Sequence, residues 1–259
     1  MSRFRERFRQ AKTIIGMIHL PTLPGYPDSR GIDHAVKRAI GDLHALEAGG
    51  VHGVLVENEY DRPHRVQANP ETVAAMTRIT RAVVQESESA LVGCEILLHD
   101  PKASLAVASM CGAAFIRTDY FVDRMSRPGY GEFEIDPGAL LDYRASLGAD
   151  DILILADIQV KYATMIEPRP LAESAALARE KGADAVIVTG DRSGQAPNVE
   201  QLREARQGLP VLIGSGLNAT NVRKLLAECD GAIVGTSLMT ESIVDQAAVQ
   251  HLMSSVGKA

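Results

Sequence analysis

A parallel (β/α)8 barrel is the fold this 259-residue sequence predicts. Three observations carry that expectation. Short apolar, β-branched runs recur eight times, helical patterns fill the gaps between them, and each strand–helix unit takes roughly 30 residues. An open doubly wound sheet also accommodates eight parallel strands, but closure into a barrel fits the count and the total length better. No linker separates two halves, so a single domain over 1–259 is expected.

The runs are "TIIGMIHL" (13–20), "GVLVEN" (53–58), "LVGCEILLH" (91–99), "AAFIRTD" (113–119), "DILILADIQV" (151–160), "DAVIVTG" (184–190), "PVLIGSG" (210–216) and "GAIVGTS" (231–237). Most are nearly continuous in apolar character, which suits strands covered on both faces. Helix starts are well marked. Asn69-Pro70, Asp100-Pro101 and Asp136-Pro137 each put a capping side chain before a proline at the first helical position. Asn198 to Gln201 reads as a capping box. At the helix ends, "EAGGVHGV", "SMCGAAFI", "SLGADDIL" and "EKGADAVI" supply glycine where a left-handed C-cap precedes the next strand. Ahead of the first strand, the basic extension 1–12 sets Phe4 and Phe8 one helical turn apart. It reads as a short helix lying against the domain, with peripheral contact to an anionic membrane as the alternative.

Composition narrows the function classes. With 46% hydrophobic and 23% charged residues the chain can bury a sizeable core, and a net charge of −6 argues against wholesale nucleic-acid binding. No apolar run approaches the ~20 residues that span a bilayer. The start lacks a hydrophobic signal region, so a cytoplasmic location is expected. Cys94, Cys111 and Cys229 form no CxxC spacing, which suits a reducing compartment and gives no sign of a zinc site or disulfide framework.

In a barrel of this kind the chemistry sits at the C-terminal ends of the strands, and phosphate commonly binds after strands seven and eight. Those two positions carry "IGSGLNATNV" and "IVGTSLMT". Glycines let the backbone approach an anion, and helix N-termini add oriented N–H donors. Gly214, Ser215 and Gly216 with Gly235, Thr236 and Ser237 are therefore the expected phosphate cradle. The plainer reading is a pair of tight turns whose Ser and Thr satisfy local backbone groups.

Polar residues end the other strands. His19 closes the first and Glu57 the second, where Glu57, with Asn58 and Glu59 nearby, suits a sugar hydroxyl or a divalent metal and needs a partner if buried. Asp61, Arg62, His64 and Arg65 read as a solvated loop, with Arg62 able to steer an anion. Glu95, if inward, requires a cation, and Arg117 or Lys161 is the expected partner. Arg117 and Asp119 share parity on strand four. The segment 120–135 after them is too long for a minimal turn, and its Phe121, Tyr130 and Phe133 suit a mobile lid or an interface. On strand five, Asp157, Gln159 and Lys161 alternate and so share a face. A Lys–Asp pair there tunes a proton-transfer base or stabilises an enolate, unless it is a structural ion pair. Thr189 and Asp191 are pocket candidates after strand six.

Together "IIGMIHLPTLPG", "GVLVENEYDRP", "FIRTDYF", "LADIQVKYA", "VIVTG", "PVLIGSGLNATNV" and "GAIVGTSL" resemble the photosystem I biogenesis protein BtpA family, which includes SgcQ proteins, from about residue 13 to residue 240. The resemblance implies a ribulose-phosphate-binding type of barrel. It brings two roles: some members stabilise photosystem I, and others sit among carbohydrate genes. Family members commonly read Asp-x-His/Lys-x-Lys-His on strand five. Here Gln159 and Tyr162 depart from that pattern, while Asp157 and Lys161 keep it.

Two functions follow. One is an enzyme acting on a small phosphorylated sugar or phosphoribosyl compound by isomerase- or lyase-type proton transfer, with Asp157, Lys161, His19 and Glu57 as the catalytic set. Glu95, Arg117, Asp119, Thr189 and Asp191 would bind the rest of the substrate. The other is a non-catalytic biogenesis or assembly factor. No dedicated metal and no cofactor are expected; a magnesium-like ion on Glu57, Asp119 and Asp157 is the one addition the carboxylates allow. A homo-oligomer is expected.

Overall fold

Alternation of side chains along each strand closes the sheet and decides what stands at its mouth. The computed structural model describes residues 2–190, 192 and 194–257, and in it eight parallel strands form a closed barrel. They are β1 (Thr13–His19), β2 (Gly53–Glu57), β3 (Leu91–Glu95), β4 (Phe115–Thr118), β5 (Leu153–Asp157), β6 (Ala185–Val188), β7 (Val211–Ile213) and β8 (Gly231–Val234). Each pairs with its sequence neighbours, and β8 returns to β1. Along β1, Ile14 and Ile18 pack into the layer beneath the helices, while Ile15 and Met17 join Leu55, Phe115, Leu155 and Ile233 inside the barrel. The interior is tight. A Cβ on Gly93 in β3 would stand 2.1 Å from the Phe115 ring, so glycine is required there.

Helix α1 (Arg3–Phe8) fastens onto the N-terminal end of the barrel. Phe4 and Phe8 are buried among the interior residues, and the Phe8 ring lies 5.7 Å from that of Phe115. Arg5 pairs with Asp230 at 2.5 Å, and the Lys12 ammonium donates to the Cys229 carbonyl at 2.7 Å. The short docked helix expected from the sequence is present, and its two phenylalanines are taken up inside rather than offered to a membrane. Among the described residues no helix is long and apolar enough to cross one.

The outer ring comprises α2 (Ile32–Gly49), α3 (Pro70–Glu86), α4 (Pro101–Cys111), α5 (Pro137–Ser146), α6 (Leu171–Glu180), α7 (Val199–Glu204), α8 (Val222–Leu226) and α9 (Gln246–Val256). Asp100 and Asp136 cap as expected, accepting from Ala103 N–H at 2.9 Å and Ala139 N–H at 3.1 Å. The Asn198–Gln201 capping box is complete. Gly50, Gly112, Gly148 and Gly182 all take positive φ at or beside the helix ends. Asn69 is a correction: its side chain makes no cap hydrogen bond and donates instead to Glu71 at 2.9 Å.

One sequence expectation fails at the C-terminal end of a strand, and one loop there holds structure the sequence did not show. The run 151–160 does not continue as a strand, because β5 stops at Asp157 and Gln159 turns into the left-handed region with φ 47°. The segment 120–135 is a packed hairpin, Met125–Arg127 against Gly131–Phe133, joined by Thr164–Met165 into a three-stranded antiparallel sheet. Tyr120 stacks on Phe133 with centroids 4.7 Å apart, and His99 meets both edge-on. Phe121 and Phe133, two of the three aromatics expected to offer a contact surface, are thus buried within the chain itself.

Candidate active site

Parity along the strands places one inward residue at the top of almost every strand. From β1 to β5 these are His19, Glu57, Glu95, Arg117 and Asp157; just beyond β7 and β8 they are Gly214 and Gly235. Register sets the charged residues side by side, since His19 is the direct partner of Glu57 and Glu57 of Glu95.

Arg117 organises this half. Its Nε donates to Asp157 Oδ2 at 2.7 Å and its Nη2 to Oδ1 at 3.0 Å, and Nε lies 3.6 Å from Glu95 Oε2. Arg117 is therefore the cation Glu95 requires, as one of the two expected partners. Burial works against its charge, but Asp157 and Glu95 more than compensate and hold the guanidinium ionised.

Four carboxyl groups in one desolvated layer cannot all ionise. Burial raises Glu95 well above the ordinary range, and the adjacent Glu57 adds to that against Arg117's opposition. Burial lifts Glu57 to about 6, moderated by the hydrogen bond it accepts from Glu95. Asp119, just past β4, is lifted to about 8, first by burial and then by the charges of Asp157 and Glu95. His19 Nε2 stands 3.8 Å from Glu57 Oε1, and burial lowers its affinity for a proton.

The expected face shared by Asp157, Gln159 and Lys161 is not formed. The strand ends between them, both Asp157 oxygens are taken by Arg117, and Gln159 turns away to donate to the Arg169 carbonyl at 2.9 Å and to Ser174 at 3.2 Å. Lys161 still lines the barrel mouth, and among the described residues it makes no hydrogen bond or ion pair.

The mouth holds two joined cavities. One, about 360 Å³, runs from His19, Glu57 and Lys161 to all six cradle residues, Gly214, Ser215, Gly216, Gly235, Thr236 and Ser237. The other, about 540 Å³, lies beneath the hairpin and takes in Glu95, Asp119, Arg62, His64, Arg127 and Tyr130. Glu57, Glu59, Arg117 and Lys161 form walls of both. Thr189 is buried beside Gly214, and among the described residues its hydroxyl has no hydrogen-bond partner; Asp191 lies outside the described residues.

In the glycine half, serine hydroxyls hold the loops and leave the backbone donors unspent. Ser215 Oγ donates to the Gln195 carbonyl at 2.7 Å, and Ser237 Oγ to the Leu217 carbonyl at 2.7 Å. The N–H groups of Ser215, Gly216, Thr236 and Ser237 donate to no acceptor among the described residues. Gly216 has φ +75°, and a Cβ there would meet the Ala196 nitrogen at 2.1 Å, so no other residue lets this loop close against its neighbour. One expectation shifts. No helix begins directly after Gly216, because α8 starts at Val222 and Asn218 winds the intervening turn, accepting from Thr220 N–H at 2.9 Å. After β8 a single 3-10 turn, Thr236–Leu238, starts at once.

Sequence reasoning undervalued the loop after β2. Asp61 is buried and accepts from Leu23 N–H at 2.8 Å, and His64 is buried with Arg62 Nη1 2.6 Å from its Nδ1. The expected solvated loop holds for Arg62 and Arg65, which are exposed, and fails for Asp61 and His64. Glu59, expected only as a neighbour of Glu57, and Tyr60, which was not expected, line the first cavity. The signal for them was the density of polar groups directly behind a strand end. Among the described residues no group of three or more His, Cys, Asp or Glu side chains is arranged to hold a metal ion.

Comparison with known proteins agrees with this architecture. The photosystem I biogenesis protein BtpA of Synechocystis is 36% identical over 248 residues, covering 93% of this chain and 85% of that one. The putative sgc region protein SgcQ of Escherichia coli is 29% identical, covering 99% and 98% of the two chains. Among solved structures, thiamine phosphate pyrophosphorylase from Pyrococcus furiosus superposes with a TM-score of 0.62 at 17% identity, covering 96% of each chain. N-(5'-phosphoribosyl)anthranilate isomerase from the same organism gives 0.57 at 13%, covering 96% of this chain and 100% of that one. At those identities the structures speak to the fold alone. The profile described as the BtpA family matches residues 10–258, and this chain belongs to that family.

Proposed function

We propose that the protein is an enzyme acting on a small phosphorylated sugar or phosphoribosyl metabolite by proton transfer next to a carbonyl. The observation that carries this reading is the pairing of unspent N–H groups at one end of a cavity with buried carboxyl groups of split acidity at its floor. The N–H groups of Ser215, Gly216, Thr236 and Ser237 receive the phosphate. Glu57, lifted to about 6, is ionised at neutral pH yet basic enough to take a proton from carbon. The Lys161 ammonium faces the oxyanion that develops on the carbonyl oxygen. Asp119, lifted to about 8, still holds a proton to return. Exchange with solvent then resets Glu57 and Asp119. Asp157 acts here by fixing Arg117 rather than as the base, since both its oxygens are engaged. The names of the two superposed enzymes, which both include a phosphorylated compound, support the substrate class.

The test is thermal stabilisation by a panel of phosphorylated metabolites. A ligand selective for the folded state at 100 times its Kd contributes about 2.7 kcal/mol, a shift of several degrees. A panel in which no phosphorylated compound raises the melting point sinks the proposal. The name of the Synechocystis relative favours a second reading, a biogenesis factor working through its surface. Under that reading Glu57→Gln leaves the biological role intact, whereas under the first it abolishes it.

A further inference from the structure

The cradle occupies one end of the mouth, and the second cavity extends the pocket well beyond what a phosphate and a short carbon chain fill. The character of that far end comes from Arg127. The hairpin carries it at the pairing Arg127–Gly131 and is tied through Met125 and Ser126 to Thr164–Met165, close behind Lys161 and Tyr162. The guanidinium lies over the rings of Tyr130 and Tyr162, 5.7 and 5.8 Å from their centroids. Neighbouring arginines are neutralised: Arg117 by Asp157, Arg62 by Glu59 at 2.5 Å, and Arg124 by Glu132 at 2.6 Å. Among the described residues Arg127 pairs with no carboxylate.

Resting on the phosphosugar reading above, we infer that the substrate carries a carboxylate at the end opposite its phosphate, and that Arg127 is the residue that recognises it. Charge bookkeeping across the second cavity agrees. Burial raises both Glu95 and Asp119 above the ordinary carboxyl range, which favours their uncharged forms, and the Arg117–Asp157 and Arg62–Glu59 pairs cancel internally. Arg127 and Lys161 are then cations of this cavity that no carboxylate pairs with among the described residues, which suits an added negative charge. A planar guanidinium packed against the Tyr130 and Tyr162 rings also offers a fork of N–H donors, which suits the two oxygens of a carboxylate.

The experiment compares two probes that differ only at the far end, 6-phospho-D-gluconate and D-glucitol 6-phosphate, by calorimetric titration of the wild type and of Arg127→Met. The expected result is at least tenfold tighter binding of the gluconate by the wild type, with that preference erased in Arg127→Met. Arg127→Lys should keep part of it. Equal affinity of the wild type for both probes overturns the carboxylate assignment while leaving the cradle standing. A preference that survives in Arg127→Met overturns the role of Arg127. Failure of both probes to bind removes the cradle and this inference together.

Discussion

From β1 to β5 the barrel mouth is built of charged side chains that satisfy one another, whereas after β7 and β8 it is built of glycines and backbone donors that nothing in the described chain satisfies. The first half spends Arg117 on Asp157 and Glu95 and places Glu57 against Glu95. Its acidity is set by burial, which splits the carboxyl groups between about 6 at Glu57 and about 8 at Asp119. In the second half Ser215 and Ser237 turn their hydroxyls outward onto neighbouring loops. The difference teaches how one layer of a barrel divides its labour. On the proposed function, side chains that change protonation are clustered so that they perturb each other, and the hold on a fixed negative charge is left to the uncharged, untitratable backbone.

The comparison breaks most severely at Arg117. Arg117→Met strands the carboxyl groups of Asp157 and Glu95 in a dry interior and should cost about 3–5 kcal/mol in denaturant unfolding. Adding Asp157→Leu should restore much of that loss, because an apolar pair replaces an uncompensated charge. No recovery in the double variant would mean that Arg117 stabilises the barrel by something other than this pairing.

The glycine half breaks at Gly216. Gly216→Ala places a side chain at φ +75° and 2.1 Å from the Ala196 nitrogen, so the loop must move away from its neighbour. Affinity for D-ribose 5-phosphate should fall more than tenfold by calorimetry, with the melting point lowered by a smaller, separate amount. Unchanged affinity would detach the cradle from this loop.

Acidity sharpens the contrast further. Turnover should rise as pH passes about 6, where Glu57 ionises, and fall above about 8, where Asp119 loses its proton. Asp119→Asn should abolish most of the activity at every pH, and it should also alter stability. The Asp119 proton is held in the folded chain up to about 8 but released in the unfolded chain near its ordinary value of 3.8. Its contribution to stability is thus fully present below pH ~4 and is lost as pH rises through about 8. The Asn variant escapes that loss, so its melting point should gain on the wild type across this window. A constant difference between the two would deny the raised pKa of Asp119.

The sequence made the barrel readable because its inward and outward positions are both apolar and its helix boundaries carry explicit chemistry in Asp100, Asp136, Asn198 and the four glycines. Inward parity also carried His19, Glu57, Glu95 and Arg117 to the mouth, since each lies within a strand or at its last residue. The same rule failed one step later. It was extended past Asp157 to Gln159 and Lys161, where the chain had left the sheet, and nothing in "ADIQVKYA" marks a left-handed residue at Gln159. The hairpin at 125–133 was hidden for a related reason: its pairing with Thr164–Met165 is long-range, and its strands are three residues or fewer. Asp61 is held by the Leu23 N–H of the loop after β1, and His64 folds back onto the Asn58 and Glu59 carbonyls of its own loop, neither of which the local sequence shows.

The central claim is that the backbone after β7 and β8, and not the charged half, holds the phosphate. Amide resonances followed by 15N-edited NMR during titration with D-ribose 5-phosphate test it most directly. The account predicts that the largest shifts fall on the N–H groups of Ser215, Gly216, Thr236 and Ser237, saturating together with a single Kd. Shifts centred instead on Glu57, Arg117 and their neighbours, with those four amides unmoved at saturation, would contradict it.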